Sequence, residues 1–239
     1  MSDPLLRYQC LVMDACDPAT MGEFWSHATG LVAEEQDGQV VLRDDAPAAE
    51  QDPARRIWLE PVSESRSAKN RVHLDVHTRD LADLVRAGAT PVEDRGWMVL
   101  RDPEGGELCA FTRTDERADG YRVYELVVDC ADPEAEARWW ARHLGGEPGH
   151  DPKHPWWWLC PPGLPFESVV FVPVPEPKAG KDRVHWDLTT RPGATPAEAA
   201  AELAGAGATV LRAGDEARPW WVLASPEGHE FCVFAGQGT

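Results

Sequence analysis

Apolar positions along the chain fall in short blocks rather than in long helical stripes. The segments YQCLVMD (8–14) and YELVVD (124–129) are rich in β-forming residues and predict buried strands. Asp17-Pro18 and Asp132-Pro133 follow them, an N-cap aspartate with proline at the first helical position. A helix is therefore predicted through FWSHATG (24–30) and another through RWWARHLG (138–145), with Gly30 and Gly145 as their stops. QVVLR (39–43), RIWLEPV (56–62) and SVVFVPV (168–174) predict further strands, separated by charged or proline-rich turns.

A second round begins at RVHLDVHT (71–78) and RVHWDLTT (183–190). Each of these strands leads into a short helix, RDLADLVRAGA (79–89) or TPAEAAAELAGAGA (195–208), and two strands around DPEGG (102–106) or SPEGH (225–229) close the round. Proline presets φ and glycine accepts positive φ, so the last two motifs are turns.

These segments are two copies of one text. CLVMDACDPATMGEFWSHATG (10–30) aligns with ELVVDCADPEAEARWWARHLG (125–145), IWLEPVSESRSAKNRVHLDVHT (57–78) with VVFVPVPEPKAGKDRVHWDLTT (169–190), and GWMVLRDPEGGELCAF (96–111) with WWVLASPEGHEFCVF (220–234). The polar TRTDERADG (112–120) lies between the copies as a linker, which sets expected domains at 1–114 and 119–239. Four strand–helix–strand modules make the chain. Whether they pair within a half or across halves is open at this level.

Side chains alternate along a strand, so His73, Asp75 and His77 share one face and Val72, Leu74 and Val76 the other. His185, Asp187 and Thr189 repeat the arrangement opposite Val184, Trp186 and Leu188. The apolar faces must pack on helices, leaving the polar faces to a concavity or to solvent. A buried imidazole beside a carboxylate is commonly a packing feature, so the repeated His-x-Asp belongs first to the fold.

Composition narrows the function classes. The 239 residues carry 41 Asp and Glu against 23 Lys and Arg, a formal charge of −18 that repels nucleic acid and anionic membranes, and no run of cations reverses it. Neither a membrane span nor a signal peptide is expected, which makes the cytoplasm the default compartment. The six cysteines (10, 16, 109, 130, 160 and 232) have no CxxC spacing and are expected as reduced thiols. Eleven tryptophans, with the runs HPWWWLC (154–160) and RPWWVL (218–223), imply aromatic packing or an aromatic-lined cavity. The first run is also placed to cover a groove, form a lid, mediate association or pack beneath a sheet.

The ordered set ACDPATMGEFW, NRVHLDVHT and GWMVLRDPEGGELCAF, met again as DCADPEAEARWWARHLG, DRVHWDLTT and SPEGHEFCVF, resembles the vicinal oxygen chelate superfamily, the glyoxalase, bleomycin-resistance and extradiol dioxygenase group. The resemblance covers nearly the entire chain. It implies an α+β fold of tandem glyoxalase-like halves, each a pair of βαβββ modules whose curled mixed sheets form a cup around a ligand or a divalent metal. Metal-dependent members place His or Gln and Glu on the first and last strands of each module. Those positions correspond here to Cys10, Glu60, His73 and Cys109 in the first half, and to Glu125, Val172, His185 and Cys232 in the second. The closing position is Cys in both halves instead of Glu, and Val172 cannot coordinate, so no cofactor is favoured. A first-half metal at Cys10, Glu60, His73 and Cys109 remains chemically permitted, because Zn²⁺ accepts such a mixed set.

The function expected on this basis is the binding of a small hydrophobic or planar molecule in an aromatic-lined cup, by a monomer or homodimer. The candidate ligand-binding residues are Trp58, Glu60, His73, Asp75, Trp97, Glu125, His185 and Trp221, the last taken as the counterpart of Trp97. The alternative is a metal-dependent lyase, isomerase or dioxygenase with Glu60 or Glu125 moving a proton. Metal-free acid–base chemistry at His73 or Glu125 and a cysteine nucleophile are weaker readings, since the sequence shows no partner for either.

Overall fold

The computed structural model describes residues 3–36 and 38–236. Each of the four modules is a strand, a helix and three further strands. The first comprises β1 (Leu6–Ala15), α1 (Pro18–Thr29), β2 (Val32–Gln36), β3 (Gln39–Arg43) and β4 (Ile57–Pro61). The second has β5 (Val72–Thr78), α2 (Leu81–Arg86), β6 (Thr90–Asp94), β7 (Met98–Arg101) and β8 (Glu107–Thr112). The third has β9 (Val123–Cys130), α3 (Pro133–Leu144), β10 (Gly149–His150), β11 (Trp157–Leu159) and β12 (Ser168–Pro173), and the fourth β13 (Val184–Thr190), α4 (Pro196–Gly205), β14 (Thr209–Arg212), β15 (Trp221–Ala224) and β16 (Glu230–Phe234). The Trp-rich run 156–159 thus supplies a sheet strand, β11.

The local signals act as expected. Asp17 and Asp132 cap α1 and α3 through their carboxylates, each with proline at the first helical turn, and Gly30 ends α1 in the left-handed conformation at φ 76°. Thr195 and Glu198 form a reciprocal capping box on α4.

Two mixed eight-stranded sheets result, ordered β14-β15-β16-β13-β1-β4-β3-β2 and β10-β11-β12-β9-β5-β8-β7-β6. Modules pair across the sequence halves: the first joins the fourth through antiparallel β1 and β13, and the second joins the third through antiparallel β5 and β9. Within each module the first and last strands run parallel side by side. Each curled sheet is therefore a cup built from both halves.

The outer faces hold the core. Phe24, Trp25, Trp140, Phe171 and Phe231 are fully buried, and Trp140 contacts Trp139, Trp186 and Phe231 with centroids 4.4–5.0 Å apart. The connections between sheets tie the halves together. Arg71 donates to the carbonyls of Glu176 and Pro177 at 2.9 and 3.0 Å, and Arg183 donates to that of Glu64 at 2.8 Å. Although no cation run exists in the sequence, Arg66, Lys69, Arg71, Lys181 and Arg183 line one hollow of about 90 Å³ between these connections. Their carboxylate partners are Glu107, Asp129, Asp14 and Glu104, so the cluster acts as a clasp.

Candidate functional site

The strand registers assemble two related polar clusters, one on the inner face of each cup. In the first sheet Asp187 stands between Cys10 and Cys232 on its neighbouring strands, and His185 lies two residues away on the same face. In the second sheet Asp75 stands between Glu125 and Cys109, with His73 two residues away. Cys232 Sγ is 3.7 Å from His185 Nε2, which is 3.7 Å from Asp187 Oδ1; Cys10 Sγ is 3.9 Å from Asp187 Oδ2. The second cluster repeats this, with Cys109 Sγ 3.6 Å and Asp75 Oδ1 3.5 Å from His73 Nε2.

The geometry distinguishes among chemistries. In a nucleophilic relay the carboxylate holds one imidazole nitrogen and the nucleophile the other. Here thiol and carboxylate approach the same Nε2 in both clusters, while Nδ1 of His73 and of His185 is buried without a hydrogen bond. Burial holds the Cys109, Cys10 and Cys232 thiols above the ordinary range, with the Asp187 charge adding to the last two. They are thiols at neutral pH rather than activated thiolates, which disfavours a cysteine nucleophile.

Convergent donors instead fit a cation. Tetrahedral Zn²⁺ with ligand bonds of about 2.0–2.3 Å sets its donors about 3.3–3.8 Å apart, close to the separations above. Asp75 Oδ1 and Asp187 Oδ1 are also buried without a hydrogen bond, and Cys, His and Asp are an acceptable zinc set. His73, Asp75 and Cys109 form one candidate group, and His185, Asp187 and Cys232 the other, all donors of each lying within 4.8 Å of one another. The expected first-half set is corrected here: Cys10 and Glu60 belong to the first sheet and His73 and Cys109 to the second, because the modules pair across halves.

The two clusters distribute charge differently. Burial acts to lower His73, but the adjacent Asp75 carboxylate and Cys109 outweigh it and raise His73 to about 10. His185 is lowered to about 4 by burial, while burial and nearby Glu60 raise Asp187 to about 7. Near neutrality His73 therefore holds its proton and His185 does not, while Asp187 is about half protonated. Glu125 is raised to about 7 by burial, even though Ser168 Oγ donates to it at 2.7 Å.

Aromatic walls flank both clusters. Trp97 stacks on Phe111 with centroids 5.6 Å apart, and His77 stacks on Tyr124 at 4.4 Å. At the corresponding place of the other cup the partner of Phe234 is Trp220, also at 5.6 Å, with Arg212 over its ring. Trp220, not Trp221, is therefore the counterpart of Trp97. The shared Asp102-Pro103 and Ser225-Pro226 turns align Trp221 with Met98, and both pack against the core.

Of the predicted ligand-binding residues, Trp58, Glu60 and His185 belong to the first cup, and His73, Asp75, Trp97 and Glu125 to the second. Trp58 lines a hollow of about 410 Å³ together with Arg56, Val41, Arg43, Glu34 and Gln51. Trp58 stands beside Val12, which stands beside His185. Arg56 immediately precedes β4 and its carbonyl accepts from the Leu11 N–H at 3.1 Å, so it adjoins Cys10 at the end of the Cys10–Asp187–Cys232 row. Arg56, Phe111, Tyr124, Ser168 and Trp220 were not anticipated. The Arg56-Trp58-Glu60 alternation was the signal that could have found the first of them.

A family model of the glyoxalase-like domain matches residues 10–111 and again 125–234. The chain belongs to the glyoxalase-like domain family. The expected tandem of glyoxalase-like halves holds for both halves of the sequence. Solved structures agree on the fold. Glyoxalase I from Zea mays superposes with a TM-score of 0.66 at 12% identity, over 95% of this chain and 92% of that one. A putative dioxygenase from Bacillus subtilis gives 0.64 at 12%, over 99% and 87%, and the cppA protein from Streptococcus pneumoniae gives 0.50 at 8%, over 98% and 99%. No curated protein matches the sequence. Among the described residues, no helix of this glyoxalase-like protein is long and apolar enough to cross a membrane.

Proposed function

We propose that this glyoxalase-like protein binds a small planar molecule in its first cup, against Trp58 and beside the Cys10–Asp187–Cys232–His185 cluster. The observation that carries the reading is the hollow of about 410 Å³ over Trp58, within the size range of small-molecule pockets and walled by one aromatic face and a few polar groups. The test is a panel of neutral and charged planar compounds, followed by thermal stabilisation and Trp fluorescence, with Trp58→Ala as control. Saturable stabilisation lost in W58A is expected. Failure of the whole panel to stabilise the wild-type protein would sink the reading.

A second reading, metal-dependent lyase, isomerase or dioxygenase chemistry, is favoured by the convergence of Nε2, carboxylate oxygen and Sγ in each cup. His185, Asp187 and Cys232, or His73, Asp75 and Cys109, would hold a divalent ion. When bound, the ion would polarise a carbonyl or enediolate oxygen. Glu125, its pKa near neutrality, is the group suited to take and return a proton in the second cup; Cys10 stands at the corresponding place of the first, where Glu60 on β4 is the carboxylate near Asp187. Elemental analysis of protein made in metal-supplemented medium and desalted without chelator decides this. Near-stoichiometric metal reduced by His73→Ala or His185→Ala supports it, and its absence from intact, folded protein retires it.

A further inference from the structure

We infer that the occupant of the first cup is a planar anion, such as an aromatic carboxylate, whose charge is held by Arg56 while its ring lies on Trp58. The inference rests on the small-molecule reading above and names the ligand class.

Arg56 is half-buried and lines the hollow. The cations around it are already neutralised: Arg43 pairs with Glu34, and Arg55 pairs with Asp44 at 3.2 Å and with Asp52 at 3.8 Å. Among the described residues Arg56 makes no ion pair, in a chain with 41 acidic and 23 basic side chains. An acid-rich protein has ample carboxylates with which to satisfy a guanidinium; leaving this one open inside a concavity reserves its planar donor fork for an anion from solution. The acid within the lining, Glu34, is engaged by Arg43, and the remaining polar lining includes the neutral amides of Gln36 and Gln51.

Position completes the argument. Arg56, extended at φ −63° and ψ 142°, immediately precedes β4 and lies two residues before Trp58, so guanidinium and indole line the same hollow with their backbones about 6.5–7 Å apart. A carboxylate on the first places a ring attached to it against the second. Arg56 also adjoins Cys10, so a molecule anchored there is aimed at the cluster of the first cup.

The experiment compares 2-naphthoate with its neutral isostere 2-naphthamide, by calorimetry and Trp fluorescence on the full-length protein. The acid is expected to bind at least about tenfold more tightly than the amide, and Arg56→Gln should bring it down to the level of the amide without changing amide binding. Arg56→Lys, which keeps charge but loses the fork, should retain part of the preference and serves if R56Q does not fold. Equal binding of acid and amide overturns the anion inference while leaving the small-molecule reading standing. Inorganic phosphate displacing naphthoate at equal concentration overturns the planar requirement. Failure of both compounds to bind counts against this inference, and failure of the entire panel removes the reading beneath it.

Discussion

Asp75 and Glu125 stand opposite each other across the β5–β9 ladder, two carboxylates on one inner face, with Ser168 bonded to Glu125 at 2.7 Å. Burial raises Glu125 from 4.5 to about 7 in the fold. A carboxyl whose folded pKa lies above its unfolded value contributes stability that is complete below the unfolded pKa and lost as pH rises through the folded one. Stability should therefore fall between pH 4.5 and 7 on this account, as it should for Asp187, also raised to about 7. Glu125→Gln removes its share of the decline. After discounting for partial exposure, the variant is expected to gain on the order of 1–2 kcal/mol at pH 8 and to be near neutral at pH 4.5, measured by denaturant unfolding. An unchanged pH slope would contradict this.

The repeated turns and helix caps were legible because each rests on local chemistry. Asp17-Pro18, Gly30 and the Pro-Glu-Gly turns need nothing beyond their neighbours. The strand face of His73, Asp75 and His77 followed from a period of two. Pairing across halves did not, because both pairings bury the same apolar faces; the β1–β13 and β5–β9 ladders decide it. That one undetermined step is why the sequence sets Cys10 and Glu60 with His73 and Cys109, whereas the ladders separate them into different sheets. In the sequence Trp221 reads as the counterpart of Trp97 because the Trp220-Trp221 pair hides a one-residue shift, and such a shift turns a side chain to the other face.

Gly30 and Gly145 close equivalent helices, yet their surroundings differ. A Cβ on Gly30 would fall 1.7 Å from the Gly120 carbonyl oxygen, whereas one on Gly145 would meet Pro4 Cγ at an ordinary 3.4 Å. Both have positive φ, at 76° and 80°. Gly145→Ala is expected to cost roughly 1–3 kcal/mol from backbone conformation alone, because φ 80° with ψ −176° is a region essentially restricted to glycine. Gly30→Ala adds displacement of the segment that follows the first half, for a total of roughly 2–4 kcal/mol. Equal losses in thermal or urea unfolding would show that the Gly120 contact is unimportant.

Trp220 and Trp221 should separate binding from stability. Trp220 stacks on Phe234 on the inner face, while Trp221 packs against the core. Trp221→Ala is expected to cost roughly 2–3 kcal/mol, less than a fully buried tryptophan. Trp220→Ala should cost about 1 kcal/mol and alter the fluorescence response to a planar ligand, with Trp58→Phe as the comparison. The reverse order of stabilities would return Trp221 to the cup wall.

Because each sheet takes one module from each half, neither half contains its own partner strands. Residues 1–114 carry β1 without β13 and β5 without β9, leaving two long strand edges open. Residues 119–239 carry the complementary edges. Each half expressed alone is expected to aggregate or to self-associate by pairing its own two modules with those of a second copy. The two co-expressed should copurify at one-to-one stoichiometry with the thermal transition of a nicked but complete protein. Light scattering after size exclusion reads the outcome directly. A stable, folded monomer of either half would mean that its two modules can close a cup between themselves, and that the cross-half ladders are one of two accessible pairings rather than a requirement of the fold.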